Sequence, residues 1–402
     1  MRCDVSWEQT YNRTIMRHLV ELFLFFTVLM ALPDWYIYRN YMLRLKEKIW
    51  HRLYWLPSLL LFIGMAVIFL SYEPRPEAMN RLSTFLIVFL CVNVPKAIFS
   101  IATLLFKGIA RKVHHHFYES YIGLAIALFT MAYILFGATI GKEYFQVKEV
   151  TLPSKDLPQG FEGFRIVQIA DIHTGSWGTD TQAMQQAVDI INAQQPDLIV
   201  FTGDLVNNLA SELDAFIPVF SQLKAKQGVY SVLGNHDYST YIQWEHPSQQ
   251  EEQLESLKQK QAQMGWTLLN NQHIKLYQGK DSIALIGVEN SGRPPFPDHA
   301  RLSEAMQGTE GMFQILLSHD PSHWRREVLP ETDIQLTLSG HTHAMQTKFF
   351  GFSPARWVYP ENEGLYQEGE QMLYVNIGLG HLLYPMRLGA WPEITLITLK
   401  SK

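Results

Sequence analysis

The chain contains 402 residues, more than one average domain needs, and its formal net charge is -5. The charge is unevenly distributed, since residues 1–148 carry 16 Lys and Arg against 9 Asp and Glu, and the remainder carries 17 against 29. An acidic C-terminal part argues against nucleic acid as a partner, because phosphate backbones favour basic surfaces. The two cysteines, Cys3 and Cys91, both precede this part, which excludes a disulfide framework and thiolate metal ligands there.

Four apolar stretches lie in the first 148 residues, at 18–38, 54–71, 82–106 and 121–141. Each is close to the ~20 residues that a helix needs to cross a bilayer. Four such stretches leave little polar surface for a soluble fold. A cleaved signal peptide fits poorly, because the first apolar stretch is followed by three other apolar stretches. We therefore expect a transmembrane region over residues 1–148 and a separate domain over residues 149–402.

The basic residues of this region indicate an orientation. The segments between spans one and two and between spans three and four are rich in Lys and Arg, which predicts that both lie in the cytoplasm. With four spans, both ends of the chain and the C-terminal domain then lie outside. Three arginines at the N-terminus argue the other way. The residues concerned are Arg39, Arg44, Lys46, Lys48, Arg52, Lys107, Arg111 and Lys112 in the segments, and Arg2, Arg13 and Arg17 at the terminus.

One charged residue, Lys96, lies in the middle of the third span, next to Pro95. A charge at this depth is costly and is often functional. Two interpretations remain open. Lys96 either pairs with Glu21 of the first span or reaches the interface, or it meets an anionic lipid headgroup near a broken helix.

In the C-terminal part, two apolar stretches end in potential metal ligands. Residues 165–170 form a short β-rich stretch that ends at Asp171-Ile172-His173, and residues 198–201 run into Gly203-Asp204. Because residues two apart on a strand point to the same side, Asp171 and His173 can face one point just past the strand end.

Three further apolar stretches repeat this pattern. They run into Gly234-Asn235-His236-Asp237, into His319, and into Gly340-His341-Thr342-His343. Predicted helices over 181–194 and 211–224 alternate with the strands, which favours a layered α/β fold with function at the strand ends. Each motif alone is weak, but their combination in this order predicts one metal site.

This set of motifs resembles the signature of the calcineurin-like metallophosphoesterases over residues 162–400. The tail 376–399 resembles the bacterial membrane-associated branch, some members of which resemble hydrolases of UDP-diacylglucosamine. The resemblance implies an α/β fold, a four-layer α/β/β/α metallophosphoesterase sandwich preceded by a four-helix transmembrane region. It also implies a bacterial inner membrane and a dinuclear metal centre.

Carried over by position, the resemblance implies two ligand sets that share one carboxylate. Two cations neutralise the charge of a phosphate ester and lower the pKa of water. Oxygen and nitrogen donors without sulfur suit Mn, Fe, Zn or Ni. The first metal would take Asp171, His173, Asp204 and His343, and the second would take Asp204, Asn235, His319 and His341.

Four more residues receive roles around this centre. The resemblance gives His236 a catalytic role, stabilising the transition state or protonating the leaving oxygen, which suits an imidazole. Asp237 either orients His236 or caps the following turn. Arg387 binds a substrate phosphate or pairs with a carboxylate inside the fold. Arg293, in a Pro-rich loop over 291–299, is expected near the mouth of the site and in contact with substrate.

The sequence therefore predicts a membrane-anchored, metal-dependent phosphoesterase. Its expected substrate is a phosphodiester, phosphomonoester or pyrophosphate that is lipid-linked or part of the envelope, with membrane lipids as partners. One alternative is a hydrolase of soluble or cell-wall phosphoesters that uses the spans only as an anchor. Another is a membrane sensor or scaffold whose metallophosphoesterase domain binds without turnover, although the intact ligand set argues against it.

Overall fold

The computed structural model describes the backbone of residues 4–70, 76–113 and 118–402, and the side chains of 20–70, 81–107 and 120–402. The chain divides into two compact units, Met1–Ala138 and Thr139–Lys402. The second unit begins ten residues before the expected boundary at 149. The reason is that its first strand, β1 (Gln146–Ser154), pairs along its whole length with the last strand of the chain.

The first unit is helical. Its helices are α1 (Asp4–Asn40), α2 (Lys48–Leu53), α3 (Leu56–Leu70), α4 (Pro76–Val113) and α5 (Tyr118–Thr139). In the part of the chain that the structure describes, four segments are long and apolar enough to cross a membrane, namely Val20–Arg44, Lys48–Leu70, Arg81–Lys107 and Ser120–Glu143. The four predicted spans are thus confirmed. Ser71 and the side chains of the N-terminal arginines, Arg111 and Lys112 lie outside the described residues.

An ion pair between the buried carboxylate of Asp34 and the partly buried Lys96 joins the first three spans. Nζ of Lys96 lies 2.8 Å from Oδ1 of Asp34 and 2.9 Å from Oγ of Ser58, and the hydroxyl of Tyr54 donates to the same Asp34 oxygen at 3.0 Å. The side chain of Asp34 is fully buried. Lys96 therefore does pair with an acidic residue of the first span, but the expected partner Glu21 is wrong and Asp34 takes its place.

Residues 139–402, all of which are described, contain twelve strands in two six-stranded sheets. The first sheet has the order β1-β12-β2-β3-β4-β5 and the second has the order β10-β11-β9-β8-β7-β6. Besides β1, the strands are β2 (Arg165–Ile169), β3 (Leu198–Phe201), β4 (Val229–Ser231), β5 (Trp266–Leu268), β6 (Gln272–Gln278), β7 (Asp281–Gly287), β8 (Phe313–Leu317), β9 (Leu336–Ser339), β10 (Gly364–Glu368), β11 (Gln371–Val375) and β12 (Glu393–Ser401).

The two sheets pack face to face with helices outside. A buried apolar cluster between them takes Ile166 and Val200 from the first sheet and Ile315 and Leu338 from the second. The helices of this unit are α6 (Gln182–Ala193), α7 (Ile217–Phe220), α8 (Pro247–Gln263), α9 (Leu302–Ala305) and α10 (Leu329–Glu331). Separate clusters pack α6 against the first sheet and α9 against the second, which confirms the α/β/β/α order.

One predicted helix is wrong. The segment 211–224 forms only a single turn at Ala210–Leu213 and then the short α7. Pro218 explains the break, since proline has no backbone N–H to donate and its ring clashes inside a continuing helix. It is tolerated here because it stands in the first turn of α7.

The strands that carry the motifs are neighbours in their sheets. In the first sheet β2, β3 and β4 run parallel side by side, and in the second β8 and β9 do the same. Parallel neighbours bring their carboxyl ends to one edge, and loops past that edge carry function in α/β folds. The first sheet thus supplies four of the seven predicted ligands and the second sheet supplies three.

Candidate metal centre

The first group of candidate ligands consists of Asp171, His173 and His343, whose ligand atoms all lie within 4.8 Å of one another. Nε2 of His173 is 3.0 Å from Nε2 of His343, and the latter is 3.4 Å from Oδ1 of Asp171. All three side chains are buried. Asp171 and His173 follow β2 in the first sheet, whereas His343 follows β9 in the second.

The second group consists of Asp204, His319 and His341. Nε2 of His319 is its centre, since it lies 3.2 Å from Oδ2 of Asp204 and 3.2 Å from Nδ1 of His341. The amide oxygen of Asn235 is also 3.2 Å from this nitrogen. The amide nitrogen of Asn235 donates to the hydroxyl of Tyr241 at 2.7 Å, which keeps its oxygen on the side of His319.

Asp204 stands between the two groups. Its Oδ2 is 3.2 Å from Nε2 of His319 in the second group and 3.6 Å from Nε2 of His173 in the first. Its Oδ1 accepts the backbone N–H of His236 at 2.9 Å. This bond fixes the carboxylate so that one oxygen faces both groups, as the predicted bridging role requires.

The donor atoms fit a pair of divalent cations. With metal–ligand bonds of ~2.1 Å, adjacent ligand atoms are about 3.0 Å apart in an octahedral site and about 3.4 Å apart in a tetrahedral one. The separations of 3.0, 3.2 and 3.4 Å within the groups agree with these values. Burying so many polar atoms together costs free energy unless they bind something, and a pair of cations would offset this cost.

Burial changes the protonation of the carboxyl groups and imidazoles in the pocket. It raises the pKa of Asp171 to about 7, with the charge of Asp204 adding to the shift, while nearby His319 opposes it. Burial lowers the pKa of His173 to about 3 and that of His341 to about 4. These two imidazoles are therefore neutral near neutral pH, the form in which histidine binds metals.

His319 differs from the other histidines. Burial lowers its pKa, but the charge of Asp204 and the hydrogen bond to it outweigh this effect and raise the value to about 10. The pKa of Asp204 is correspondingly well below its usual range, because the neighbouring imidazoles outweigh the effect of its burial. The pocket therefore places a positive charge next to the bridging carboxylate, where a metal cation would do the same.

The backbone of the ligand loops is unusual. Five of the ligand residues have positive φ angles, a conformation uncommon outside glycine that concentrates at functional sites. Gly203 shows why the loops are tight, since a Cβ there would lie 2.7 Å from Nδ1 of His319. The five residues are Asp171 (50°), His173 (50°), Asp204 (63°), His341 (77°) and His343 (49°).

Comparison with known proteins agrees with this geometry. Residues 164–345 match the family of the calcineurin-like phosphoesterases, and residues 16–142 match a family described as the transmembrane domain of a probable calcineurin-like phosphoesterase. The metallophosphoesterase YkuE of Bacillus subtilis is 36% identical over 269 residues, which cover 64% of this chain and 86% of YkuE. The chain belongs to the calcineurin-like phosphoesterase family.

A second relative covers both units of this phosphoesterase. The transmembrane protein with metallophosphoesterase domain of Danio rerio is 28% identical over 412 residues, which cover 95% of this chain and 90% of the relative. The protein of the same description from Bos taurus is 32% identical over 267 residues, which cover 63% of this chain and 57% of that protein. The chain is therefore a metal-dependent phosphoesterase and a multi-pass membrane protein.

His236 lies beside the candidate metal ligands of the phosphoesterase. Its ring centroid is 4.9 Å from that of His173, and its Nδ1 is 2.8 Å from the carbonyl oxygen of Asn207. Because a carbonyl only accepts, Nδ1 carries the proton in this contact and Nε2 is left as the acceptor of the neutral ring. The residue that orients His236 is therefore Asn207, through its main chain.

The orienting role expected for Asp237 is not what the structure shows. Its carboxylate instead accepts four backbone N–H groups, from Asp204 and Gly234 at Oδ2 and from Leu205 and Val206 at Oδ1, at 2.9 to 3.2 Å. Burial and the charge of Asp204 raise the pKa of Asp237 to about 7, and these hydrogen bonds oppose the rise. The structure agrees better with the alternative of a turn residue. In addition, the hydrogen bonds of Asp237 stabilise the loop that carries Asp204.

The two arginines differ in their access to substrate. Arg387 is completely buried and donates to the carbonyl oxygens of Gly380, Ala390 and Ile377. Its Nη2 also lies 3.1 Å from Nδ1 of His343, so Arg387 supports a ligand and cannot contact a substrate phosphate. The structure thus corrects its predicted substrate-binding role and favours the structural interpretation.

Arg293, by contrast, is exposed in the loop 291–299. The ring of Phe296 in that loop packs edge-on against His341, with centroids 4.9 Å apart, so the loop does border the metal centre. Arg293 also opposes the rise that burial causes in the pKa of Tyr359. Contact of Arg293 with substrate stays a prediction.

Two tyrosines at the site were not predicted from the sequence. The hydroxyl of Tyr359 lies 2.7 Å from Nε2 of His341, and the ring of Tyr241 lies 4.4 Å from that of His236. When Nδ1 of His341 is the ligand atom, Nε2 carries the proton and the Tyr359 oxygen accepts it, which fixes the ring. Neither tyrosine belongs to a recognisable motif, so the sequence carries no signal for them.

Proposed function

We propose that this phosphoesterase hydrolyses a phosphoester or pyrophosphate bond of a membrane lipid or lipid-linked substrate, with His236 acting at the departing oxygen. One observation carries the proposal. Two groups of metal ligands share the carboxylate of Asp204 and sit beside His236, in the same chain as four candidate membrane spans. The seven ligands are those carried over from the family, Asp171, His173, Asp204, Asn235, His319, His341 and His343.

The ligands would hold two divalent cations, which neutralise charge on the phosphate and activate water for attack. The protein supplies the rest. The main-chain carbonyl of Asn207 holds Nδ1 of His236, which leaves Nε2 to stabilise charge on the phosphate or, when protonated, to give a proton to the leaving oxygen. Arg293, which is exposed in a loop that borders the site, would bind a second anionic group of the substrate.

Membrane anchoring supports a lipid substrate. A tethered domain meets headgroups of its own membrane at a high effective concentration, without any further contact. A soluble substrate would gain nothing from the four spans, which would then serve only as an anchor. The proposal therefore predicts that turnover of a bilayer-embedded phosphoester exceeds that of the same headgroup in water.

The test uses the full chain in lipid nanodiscs with Mn²⁺. We expect cleavage of bis-p-nitrophenyl phosphate as a general activity and of a lipid phosphoester or pyrophosphate at a higher kcat/KM. Asp204→Ala and His236→Ala should abolish both, while the protein still inserts into the membrane. Cleavage of the soluble ester alone would favour a soluble or cell-wall substrate, and wild-type turnover in either variant would overturn the site assignment.

A comparison of lipid extracts would name the substrate. We expect one phosphorylated lipid to accumulate in a bacterial strain that lacks the protein, relative to its parent, and to return to the parental level when the wild-type chain is supplied. Complementation by His236→Ala provides the matched control, and it should fail. Identical extracts from both strains would count against a lipid substrate.

We also propose that the catalytic unit lies outside the bacterial inner membrane, because the basic segments between spans favour the cytoplasm. One of these residues, Lys107, donates from its Nζ to the amide oxygen of Asn40 at 3.1 Å, at the ends of spans three and one. Protease added to intact spheroplasts should then digest residues 139–402. Full protection of this unit would place it in the cytoplasm.

A further inference from the structure

A stretch of exposed aromatic side chains borders the metal centre. We call Lys348–Val358 the aromatic loop, because it contains Phe349, Phe350, Phe352 and Trp357 within eleven residues. Phe350 is completely exposed and Trp357 is 79% exposed. Isolated apolar residues on a surface are ordinary, but a contiguous group of large ones marks a surface that binds another apolar surface.

The aromatic loop is a built structure. Phe349 and Phe352 exchange both backbone hydrogen bonds at 2.9 Å, which makes a tight hairpin with Phe350 and Gly351 at its tip. Both tip residues have positive φ, at 50° and 82°, the angles that such a two-residue turn needs. The hairpin therefore holds the side chain of Phe350 in solvent, where it gains no stabilisation from burial of apolar surface.

Hydrogen bonds hold both ends of the loop, one beside Arg387 in the chain and the other at the candidate ligand His341. At its start, the backbone N–H of Lys348 donates to the carbonyl of Leu388 at 2.7 Å. Just past its end, the hydroxyl of Tyr359 lies 2.7 Å from Nε2 of His341. Whatever surface the aromatic loop binds is therefore held at a fixed distance from the second group of metal ligands.

We propose that the aromatic loop inserts into the headgroup region of the bilayer that holds the protein's own spans, and that it presents the metal centre to lipid phosphoesters. Trp and Phe are residues that membrane-binding surfaces place at the boundary between headgroups and acyl chains. The exposed Arg356 supplies a positive charge that anionic headgroups attract, whereas Lys348 is paired with Glu363 at 2.6 Å. The four candidate spans of the chain anchor the protein in this membrane.

The consequence for catalysis rests on the proposed lipid substrate, whereas insertion itself does not. A lipid whose acyl chains stay in the bilayer can reach the metals only when the mouth of the site meets the headgroups. Insertion can be measured without turnover, so a failure of this proposal is distinguishable from a failure of the proposed substrate.

Depth measurement tests the insertion. In full-length protein carrying Cys3→Ser and Cys91→Ser, an environment-sensitive fluorophore is attached to Phe350→Cys and, as the matched control, to Tyr277→Cys. Tyr277 is 60% exposed and pairs with Ser282, at the start of β7. His319 follows the end of β8, and the end of β8 pairs with the opposite end of β7. The control therefore sits at the opposite end of the second sheet from the metal centre.

In nanodiscs of phosphatidylcholine and phosphatidylglycerol, we expect the probe at position 350 to shift to shorter wavelength and to be quenched by doxyl-labelled lipids. The probe at position 277 should show neither effect. Equal emission and quenching at the two positions would overturn the proposal. A blue shift without quenching by lipid would also overturn it, because it would indicate contact with protein, such as a second copy of the chain. Trp357→Cys provides a second probe position within the loop.

Activity gives an independent readout. Phe350→Asp combined with Trp357→Asp should lower kcat/KM for a phosphoester embedded in nanodiscs by about tenfold, since two aromatic side chains no longer bury apolar surface. Hydrolysis of soluble bis-p-nitrophenyl phosphate should stay at the wild-type level, which also shows that the domain is folded. An equal loss on both substrates, or no loss on either, would contradict a membrane role for the loop.

Discussion

Replacing Asp237 by Asn separates the two roles that this residue was expected to have. The carboxylate accepts two backbone N–H groups at each oxygen, and Asn would turn one of these oxygens into a donor. Two buried N–H groups would then lose a charged acceptor at about 1.5–3 kcal/mol each, or about 3–6 kcal/mol together. That loss falls on the loop of Asp204, which both groups of metal ligands share.

The expected result is a loss of metal rather than a loss of proton transfer. If about 3 kcal/mol of the cost appears as displacement of Asp204, metal affinity falls by roughly 100-fold. The assay is a Mn²⁺ titration of the nanodisc-reconstituted protein at pH 8, above the pKa of about 7 of Asp237, with metal content measured by mass spectrometry. Asp281→Asn is the control, since its carboxylate accepts one exposed backbone N–H, from Gly160.

A different outcome would refute this reasoning. If Asp237→Asn kept two metals per chain at wild-type affinity and lost only kcat, the residue would act on His236, which is one of the two roles that the sequence left open. Thermal unfolding provides a second measurement, because the variant should unfold at a lower temperature than Asp281→Asn with and without Mn²⁺. An unchanged unfolding temperature would show that the four hydrogen bonds contribute little.

Three further outcomes are expected. His236→Ala should lower kcat by about 10²–10⁴-fold with unchanged metal content, because its proposed role is to act on the substrate rather than to hold a metal. Asp34→Ala should destabilise the first unit by about 3–5 kcal/mol, since Lys96 loses its buried partner. The double variant with Lys96→Met should regain part of this stability. Unfolding in detergent measures the stability of the two variants. Chelation should abolish hydrolysis and lower the unfolding temperature, with both effects reversed by Mn²⁺.

The positions of the ligands followed from local sequence patterns. Asp171 and Asp204 each follow a short apolar strand, and such strands pair in parallel and end at one edge of a sheet. Nothing beyond a strand pattern and a polar residue at its end was needed for this prediction. The division of these ligands into two sets that share Asp204 came from the family resemblance, because no local pattern states which strand ends face each other.

Other contacts could not be predicted, because they depend on the fold rather than on residue type. His236 is oriented by a backbone carbonyl, that of Asn207, and every residue has one. Lys96 had two acidic candidates in the first span, Glu21 and Asp34. They are 13 residues apart, about 20 Å along a helix, and hydropathy does not say which of them is level with Lys96.

The stability of the metal-free protein follows from where the two sheets meet. Most of their interface is an apolar cluster whose burial does not depend on a cation. At the carboxyl edge, however, Oδ2 of Asp204 from the first sheet lies 3.2 Å from Nε2 of His319 from the second. Without cations this edge holds two buried carboxyl groups close together, one of which, Asp171, has its pKa raised to about 7. Chelation should therefore loosen the loops at this edge while the sandwich stays folded, so that amide exchange increases in the ligand loops and not in β8 or β9.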